Sequence, residues 1–311
     1  MNVDNNSGEV MRLAGLCIGA VAATGLAACG GGGSSSVADA SSAAAGSVVA
    51  SSAASTSSGG ASAATASAAT HWMPVQTDTW QWQLTGAIDT SYQVGVYDID
   101  LFDAPQSVID SLKAQGRRVV CYFSAGTAEN WRPDYSRFLP SDLGNSVQGW
   151  SGERWVDTRS TNVRNIMSAR LDLAVSKGCD GVEPDNVDGY TNNPGLPLDS
   201  STQADFNLFI ANAAHARHLA VALKNDIEQL GALGASFDFA VNEQCHAFNE
   251  CSAYGAFLAS GKAVFNAEYA SKYVQNTGGA RDQLCQTAKT ERLRTLVLPQ
   301  ALNDSFRFSC D

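Results

Sequence analysis

Four carboxylates stand within nine residues of the segment Cys179-Asp-Gly-Val-Glu-Pro-Asp-Asn-Val-Asp-Gly-Tyr190. Because side chains alternate along a strand, Glu183 and Asp185 are predicted to point to the same face. Pro184 lacks a backbone donor and Asp188-Gly189 is typical of a turn, so the strand is predicted to end here. A strand that delivers carboxylates into a loop is typical of the active-site rim of a barrel, although an acidic surface loop has the same pattern.

Short β-rich runs alternate with helical segments on both sides of this acidic strand, which indicates a parallel sheet with crossover helices. Besides the acidic strand, we predict strands at 80–84, 94–100, 118–124, 219–223, 237–241, 263–269 and 295–298. Helices are predicted at 105–115, 162–177 and 202–217. Residues 127–157 are predicted to be irregular, and tryptophans in that loop would suit stacking on sugar rings. Eight strands of this kind predict an α/β fold, a (β/α)8 TIM barrel in a single domain.

Polar side chains recur where the predicted strands end. The candidate substrate-binding residues are Tyr97, Asp98, Asp100, Tyr122, Glu183, Asn186, Asp188, Lys224, Asn242, Glu268 and Tyr269. Because all parallel strands of a barrel end on one rim, these side chains are expected to meet there.

Two acids on different strands suit glycoside hydrolysis, in which one acid protonates the departing oxygen and the other attacks the anomeric carbon or activates water. Asp185 belongs to the fourth predicted strand and Glu243 to the sixth, and alternate strands contribute to one layer of a barrel. We therefore predict that Asp185 and Glu243 are the catalytic pair. Glu243 is assigned as the acid and Asp185 as the nucleophile or base.

The charge of the chain limits its ligands. Residues 71–311 form the predicted barrel domain, with 19 basic and 28 acidic residues, a net charge of about −9. This balance argues against nucleic acid and anionic lipid head groups, and it favours neutral or cationic partners. We expect a monomer that needs no metal and no cofactor.

The first 70 residues have a different composition. Residues 1–29 are predicted to be a secretory signal, because a basic start and a short apolar run precede small residues and Cys29. Leu26-Ala-Ala-Cys29 resembles the lipobox of bacterial lipoproteins, so Cys29 is the predicted lipidation site. Residues 30–70 are Ala/Ser/Gly-rich and predict a disordered linker. The prediction is an exported lipoprotein of the bacterial cell envelope or surface, which contacts the membrane only through its lipid anchor.

Six cysteines remain in the predicted domain, and an even number in an exported chain suggests three disulfides among fifteen possible pairings. They are Cys121, Cys179, Cys245, Cys251, Cys285 and Cys310. The short spacing favours a bond between Cys245 and Cys251. A bond between Cys285 and Cys310 would hold the C-terminus, and one between Cys121 and Cys179 would join neighbouring strands.

Several of these motifs together resemble glycoside hydrolase family 114. They are Tyr97-Asp-Ile-Asp100, Cys121-Tyr-Phe-Ser-Ala-Gly126, Asp180-Gly-Val-Glu-Pro-Asp-Asn-Val-Asp188, Lys224-Asn225, Asn242-Glu243 and Ala267-Glu-Tyr269. The resemblance covers residues 71–311 and implies a (β/α)8 endo-α-1,4-polygalactosaminidase, whose substrate is an α-1,4-linked galactosamine polymer. It implies an Asp and a Glu as the catalytic pair. These fall on Glu243 and on Asp185 or, alternatively, Asp188.

Three other functions fit the sequence. The chain could hydrolyse another aminosugar polysaccharide, or it could be a surface lipoprotein that binds glycan without cutting it. Alternatively, Glu183, Asp185 and Asp188 could supply oxygen ligands for a metal-dependent hydrolase.

Overall fold

The computed structural model of the chain describes residues 71–311. The predicted signal, lipidation site and linker lie outside the described residues. Within the described part, no helix is long and apolar enough to cross a bilayer.

Short strands and helices alternate along the described chain. The strands are β1 (Trp80–Gln83), β2 (Val96–Asp100), β3 (Arg118–Ser124), β4 (Thr127–Glu129), β5 (Leu143–Ser146), β6 (Glu153–Val156), β7 (Gly181–Asp185), β8 (Ala220–Lys224), β9 (Phe239–Glu243), β10 (Val264–Glu268), β11 (Arg294–Val297) and β12 (Phe308–Ser309). The helices are α1 (Gln106–Ala114), α2 (Thr161–Lys177), α3 (Ser200–His215), α4 (Leu230–Leu233), α5 (Cys245–Phe248), α6 (Gly255–Ala259), α7 (Ser271–Val274) and α8 (Ala280–Glu291).

Nine strands form one sheet in the order β1-β2-β3-β7-β8-β9-β10-β11-β12. The first eight of these are parallel to one another, and β12 runs antiparallel to β11. Their carboxyl ends therefore share one edge, as the sequence predicts. The prediction of an α/β fold with a parallel sheet is confirmed.

The sheet curls, so that its two ends approach each other. Trp80 on β1 stacks on Phe265 of β10 with ring centroids 4.9 Å apart, although these strands are not neighbours in the sheet. The Trp80 indole also donates a hydrogen bond of 2.9 Å to the carbonyl of Arg294 on β11. Burying these large rings on the concave face supplies part of the hydrophobic stabilisation of the fold.

A second apolar layer separates the sheet from its helices. It includes Ile99 on β2, Leu112 on α1 and Ile166 on α2, all fully buried. The longest helix, α2, begins where the Ser160 side chain accepts hydrogen bonds from two backbone N–H groups and ends at Gly178, whose φ is +79°. Glycine adopts this left-handed conformation without strain, so the chain turns directly into the acidic strand β7.

Pro184 limits the pairing of β7, as the sequence predicts. On one side, β7 pairs with β3 through to Asp185. On the other side, its pairing with β8 stops at Val182. Because Pro184 has no N–H to donate, the ladder with β8 cannot continue through it. The end of β7 is thus separated from β8 and available to the cleft.

The prediction that residues 127–157 are irregular is wrong in part. β4, β5 and β6 form a separate antiparallel sheet in the order β4-β6-β5. These strands have three or four residues each, too short to give a clear alternating pattern. The Arg154 side chain on β6 donates a hydrogen bond of 2.9 Å to the Gly144 carbonyl on β5, which adds a contact that sequence periodicity does not report.

Three disulfides join Cys121 to Cys179, Cys245 to Cys251 and Cys285 to Cys310. These are the pairs that the sequence favours. The first bond links β3 to Cys179, two residues before β7 begins. The second closes the loop after β9, and the third connects α8 to the C-terminal segment. Disulfides of this kind are typical of proteins exported from the cytosol.

Candidate active site

A cleft of about 240 Å³ opens at the carboxyl ends of the parallel strands. Its lining includes Trp82, Tyr122, Trp150, Glu153, Asp185, Asn186, Asp188, Lys224, Asn225, Asp226, Glu228, Glu243, Glu250 and Tyr269. Seven of these side chains are carboxylic acids and Lys224 is the one base among the lining residues of the described chain. This acidity is concentrated where β7, β8 and β9 end.

Lys224 connects the acids at the base of the cleft. Its ammonium nitrogen lies 2.8 Å from Glu183 Oε1, 3.1 Å from Asp185 Oδ1 and 3.3 Å from Glu243 Oε2. Burial lowers the pKa of Lys224, but the charges of Asp185, Glu183 and Glu243 raise it well above its ordinary value. Lys224 is therefore charged at neutral pH. Two carboxylates of β7 and one of β9 thus surround the Lys224 nitrogen.

The predicted catalytic carboxylates both contact the Lys224 ammonium. Because Asp185 Oδ1 and Glu243 Oε2 contact the same nitrogen, at 3.1 and 3.3 Å, they can be separated by at most the sum of these distances, about 6.4 Å. The Asp185 side chain is 18% exposed and the Glu243 side chain is 31% exposed, whereas Glu183 is fully buried. Asp185 and Glu243 are thus the members of this group that a substrate can reach.

Two tyrosines hold the two exposed carboxylates. The Tyr122 hydroxyl donates a 2.9 Å hydrogen bond to Asp185 Oδ2, and the Tyr269 hydroxyl donates a 2.6 Å hydrogen bond to Glu243 Oε1. Burial and the neighbouring Asp185 charge raise the pKa of Tyr122 well above its usual value, and burial and Glu243 do the same for Tyr269. Both phenols therefore remain protonated and act as donors over the whole neutral range.

Asp98 lies beneath this group as a neutral acid. Burial and the adjacent Glu183 charge raise the pKa of Asp98 well above its ordinary range, so it can donate its proton to Glu183. Among the described residues, no N–H or O–H donor of another group reaches either Asp98 oxygen. Burial also raises the pKa of Glu183 to about 7, although the Lys224 charge opposes this change. Asp98 and Glu183 are thus two buried acids below the cleft floor, and burial favours the protonated form of each.

The backbone turns sharply after each strand that supplies a cleft residue. Asn186 after β7, Asn225 and Asp226 after β8, and Gln244 after β9 all have φ between +44° and +66°. Non-glycine residues adopt this conformation at an energetic cost, and such residues are frequent at functional sites. The turn at Asn186 brings its N–H to within 2.8 Å of Asp185 Oδ1. The strained turns therefore orient the catalytic candidates.

Gly126 allows the loop after β3 to approach the end of β7. Its own N–H and that of Ala125 donate hydrogen bonds to the Asp185 carbonyl. A Cβ atom at Gly126 would lie 1.7 Å from the carbonyl oxygen of Asn186. No side chain fits in this space, so the position of Asp185 depends on a glycine 59 residues earlier in the sequence.

Further acids line the mouth of the cleft. Burial, followed by the charge of Asp188, raises the pKa of Asp226 to about 8. Burial and Asp185 raise the pKa of Asp188 to about 7, and burial and Glu129 raise that of Glu153 to about 7. These groups change charge near neutral pH, and a cationic ligand would favour their ionised forms.

Most of the sequence-predicted site residues lie at this cleft or directly beneath it. Tyr122, Asp185, Asn186, Asp188, Lys224, Glu243 and Tyr269 line it, and Asp98 and Glu183 lie below. Asn242 is buried beside it, where its side chain contacts Asn225 Oδ1 and the N–H of Cys245. Asn242 therefore supports the loops and does not reach the cleft surface.

Three predicted substrate-binding residues lie elsewhere. Side chains alternate along β2, so Tyr97 lies on the outer face of the sheet, which packs against the helices. There its hydroxyl donates a 2.9 Å hydrogen bond to the Tyr92 carbonyl. Asp100 is buried in an ion pair with Arg132. Glu268 is buried and accepts a 2.8 Å hydrogen bond from the His246 N–H. These three side chains are therefore not among the residues that line the cleft.

Other cleft residues are not among the predicted site residues. Asp226 and Glu228 follow β8 in a short turn, and Glu153 begins β6 in the segment predicted to be irregular. Trp82 belongs to β1, whose sequence alternates as is typical of a strand, and the Lys224 ammonium lies 4.8 Å from its ring centroid. Trp150 lines the cleft and is 49% exposed; it is one of the tryptophans in residues 127–157 that would suit stacking on sugar rings. A motif search could have found Asp226, because it directly follows Lys224-Asn225.

The cleft acids are not arranged as a metal site. In residues 71–311, the groups with metal-ligand spacing are Cys245, His246 and Cys251, and His71, His215 and Asp238; none of the predicted trio Glu183, Asp185 and Asp188 belongs to them. Glu183 and Asp185 both contact the Lys224 ammonium instead. The Lys224 ammonium therefore compensates the charge of two of the three carboxylates.

A curled parallel sheet with two accessible carboxylates at its carboxyl edge is typical of glycoside hydrolases. The family model described as glycoside-hydrolase family GH114 matches residues 61–311. The chain belongs to family GH114, which confirms the resemblance seen in the sequence and the prediction of an enzyme.

Solved structures support this assignment. The crystal structure of Aspergillus fumigatus Ega3 in complex with galactosamine is similar, with 42% sequence identity and a TM-score of 0.73 over 78% of this chain and 98% of that one. The glycoside hydrolase domain of PelA from Pseudomonas aeruginosa shares the fold, with a TM-score of 0.58 at 14% identity, over 74% of this chain and 98% of that one. An uncharacterized protein of Deinococcus radiodurans is 27% identical over 232 residues, which are 66% of this chain and 74% of that protein.

Proposed function

We propose that the chain is an endo-acting glycoside hydrolase that cleaves α-1,4-linked galactosamine polymer with Asp185 and Glu243. The observation that carries this proposal is the pair of accessible carboxylates, from the ends of β7 and β9, that both contact the Lys224 ammonium in the cleft. Membership of GH114 and the likeness to a galactosamine-bound structure support the substrate class.

Glu243 acts as the general acid and Asp185 as the nucleophile. Glu243 is the more exposed of the two and approaches the bond from the end of β9. Asp185 is held by the Tyr122 hydroxyl, the Asn186 N–H and the Lys224 ammonium, which keep its oxygens in a fixed position. Asp188 has none of these three contacts, so the structure favours Asp185 over Asp188 for this role.

The separation of the carboxylates favours retention of configuration. Retaining enzymes place the two groups about 5–5.5 Å apart, and inverting enzymes about 6.5–9.5 Å apart. The contacting oxygens of Asp185 and Glu243 are at most about 6.4 Å apart, which is below the inverting range and supports retention. In the first step Glu243 gives its proton to the glycosidic oxygen, while Asp185 attacks the anomeric carbon and forms a glycosyl ester. In the second step Glu243 takes a proton from a water molecule while the water oxygen attacks the anomeric carbon. The bond between that carbon and Asp185 breaks, and the sugar is released.

The acidic cleft selects amino groups that carry a positive charge. A deacetylated galactosamine unit presents an ammonium, and an ion pair at ~4 Å contributes up to about 4 kcal/mol at an effective dielectric constant of ~20, before desolvation. Acetylation removes this charge and adds bulk. The enzyme therefore prefers deacetylated stretches of polymer.

Incubation of the full chain with galactosamine polymer, before and after chemical N-acetylation, tests this function. Sizing the products by mass spectrometry at early times should show mid-length oligomers from the deacetylated polymer and little product from the acetylated one. Intact deacetylated polymer would exclude the hydrolase. Equal cleavage of both polymers would exclude the charge preference.

We also propose that the eight parallel strands form a (β/α)8 barrel in residues 71–311, which acts as a monomer on the end of the 30–70 linker. The lipobox-like sequence supports attachment of lipid to Cys29 after export. Labelled fatty acid should be incorporated into the wild-type chain and not into Cys29→Ser; equal labelling of the two would exclude Cys29 as the anchor.

A further inference from the structure

Two histidines and an aspartate lie together at the amino-terminal edge of the sheet, whereas the cleft is at the carboxyl edge. His215 ends α3, Asp238 directly precedes β9, and His71 is the first described residue. The other end of β9 carries Glu243, and a strand of five residues spans about 16 Å. The group is therefore separate from the catalytic centre.

The three side chains converge on a single point. His71 Nε2 lies 3.1 Å and His215 Nε2 2.9 Å from the same oxygen, Asp238 Oδ2. The imidazole rings stack with centroids 4.8 Å apart and an interplanar angle of 25°. Three potential ligand atoms, one from each residue, all lie within 4.8 Å of one another. This spacing allows one ion to contact all three.

The hydrogen bonds of the group leave one nitrogen without a partner. His215 forms a hydrogen bond with Asp238 Oδ2, and the Val221 N–H donates to the same oxygen at 2.9 Å. His71 Nε2 is buried and forms no hydrogen bond within residues 71–311, although it lies 3.1 Å from Asp238 Oδ2. A buried ring nitrogen with no partner costs free energy unless another group binds it.

We propose that His71, His215 and Asp238 bind one divalent transition-metal ion of the zinc type, with water completing its coordination. Two imidazole nitrogens and one carboxylate are ligands that zinc and its neighbours prefer, whereas calcium and magnesium prefer oxygen alone. The bound ion satisfies the His71 nitrogen. The Val221 N–H holds the carboxylate in place in the manner usual for metal ligands.

The ion stabilises the start of the domain and takes no part in catalysis. It joins residue 71 to the end of α3 and to the residue before β9, which are 144 and 167 positions further along the sequence. Residues on the amino-terminal side of such a sheet contribute to stability, because catalysis takes place at the carboxyl edge. Metal binding thus holds residue 71 against the end of α3 and the start of β9.

Zinc titration of the metal-free full chain tests the proposal, with calorimetry and thermal unfolding as readouts. We expect zinc in about 100-fold excess over its dissociation constant to raise Tm by roughly 5–10 °C. His71→Ala should lose this shift and bind one zinc ion fewer. His218→Asn is the matched control, because His218 is exposed, lies outside the cluster and has a φ of +60° that Asn tolerates.

Cys17 and Cys29 are present in every variant, so the difference between variants reports the His71 cluster alone. Cleavage of galactosamine polymer should be unchanged in His71→Ala, which separates this proposal from the proposed function. Equal zinc binding and equal Tm shifts in the wild type and His71→Ala would overturn the metal site, as would the absence of any zinc-dependent shift in the wild type.

Discussion

Lys224 determines the charge balance of the cleft, because its ammonium contacts three carboxylates and its side chain is only 2% exposed. Removing one partner from a buried ionic group leaves the other charges without compensation, which costs about 3–5 kcal/mol. Lys224 also fixes the distance between Asp185 and Glu243. Stability and catalysis therefore depend on the same residue.

Lys224→Met should lower the free energy of unfolding by about 3–5 kcal/mol and kcat at least ~10-fold, as measured by urea unfolding and polymer cleavage. Lys113→Met is the control, since Lys113 forms an exposed pair with Asp180 and such pairs contribute at most about 1 kcal/mol. Similar losses in the two variants would contradict the role given to Lys224.

Asp226 makes stability depend on pH. Its pKa in the folded chain is about 8, raised from an ordinary value of 3.8 chiefly by burial. Between these two pH values the native state holds a proton that the unfolded state has released. The contribution of Asp226 to the free energy of unfolding is therefore fully present below pH 3.8, and it is lost as pH rises towards about 8.

Asp226→Asn should reduce the loss of unfolding free energy between pH 5 and pH 8 by up to a few kcal/mol, because Asn has no proton to release. Urea unfolding at the two pH values measures this. The exposed Asp110→Asn should leave the pH dependence of the wild type unchanged. If Asp226→Asn loses as much stability as the wild type, Asp226 does not titrate as described.

At the scale of elements, the loop after β3 and the end of β7 are packed with no space for a side chain at Gly126. The contact matters because the loop holds the Asp185 carbonyl while Asn186 holds the Asp185 carboxylate. A displacement of either element moves the nucleophile.

Gly126→Ala should lower kcat at least ~10-fold and stability by about 1–3 kcal/mol, because the new Cβ would clash with the Asn186 carbonyl. Gly231→Ala in α4 has no atom within 4 Å of the new Cβ and should leave both quantities nearly unchanged. Comparing the two variants in cleavage and unfolding assays separates this clash from the general effect of replacing a glycine. Wild-type activity in Gly126→Ala would show that the loop adapts.

The disulfides differ in the length of chain that they close. Cys121 and Cys179 are 58 residues apart, and Cys245 and Cys251 are six apart. On the chain-entropy estimate the first contributes about 4 kcal/mol and the second about 2 kcal/mol. Replacing each pair with Ala should therefore cost more stability for Cys121–Cys179, as measured by urea unfolding without reductant. The reverse order would show that native contacts around the bonds outweigh loop entropy.

At the scale of the whole molecule, much of the fold could be predicted because each strand and its neighbouring helix has a local pattern. Gly178 ends α2 through its left-handed backbone conformation, and Pro184 prevents the pairing of β7 with β8 from continuing beyond Val182. The sheet of β4, β5 and β6 could not be predicted, since its strands are too short for periodicity. The strand at β9 also extends two residues further than predicted, to Glu243.

The site was predictable where a residue directly ends a strand, as for Asp185, Lys224 and Glu243. It was not predictable for Tyr97, because the face of the strand on which a side chain lies decides whether it reaches the cleft. Nor was it predictable for Asp100, whose charge is neutralised by Arg132, a residue 32 positions further along the chain. The convergence of His71, His215 and Asp238 is similarly invisible in the sequence, because three distant segments meet there.

The account depends on Asp185 and Glu243 acting on one glycosidic bond. The most direct measurement is the initial rate of galactosamine-polymer cleavage by Asp185→Asn and Glu243→Gln beside the wild type, with Asp110→Asn as an exposed control. We predict that each of the two cleft variants loses at least about 100-fold in kcat while keeping a wild-type Tm to within a few degrees, and that the control keeps full activity. Cleavage at the wild-type rate by either folded cleft variant would contradict the account.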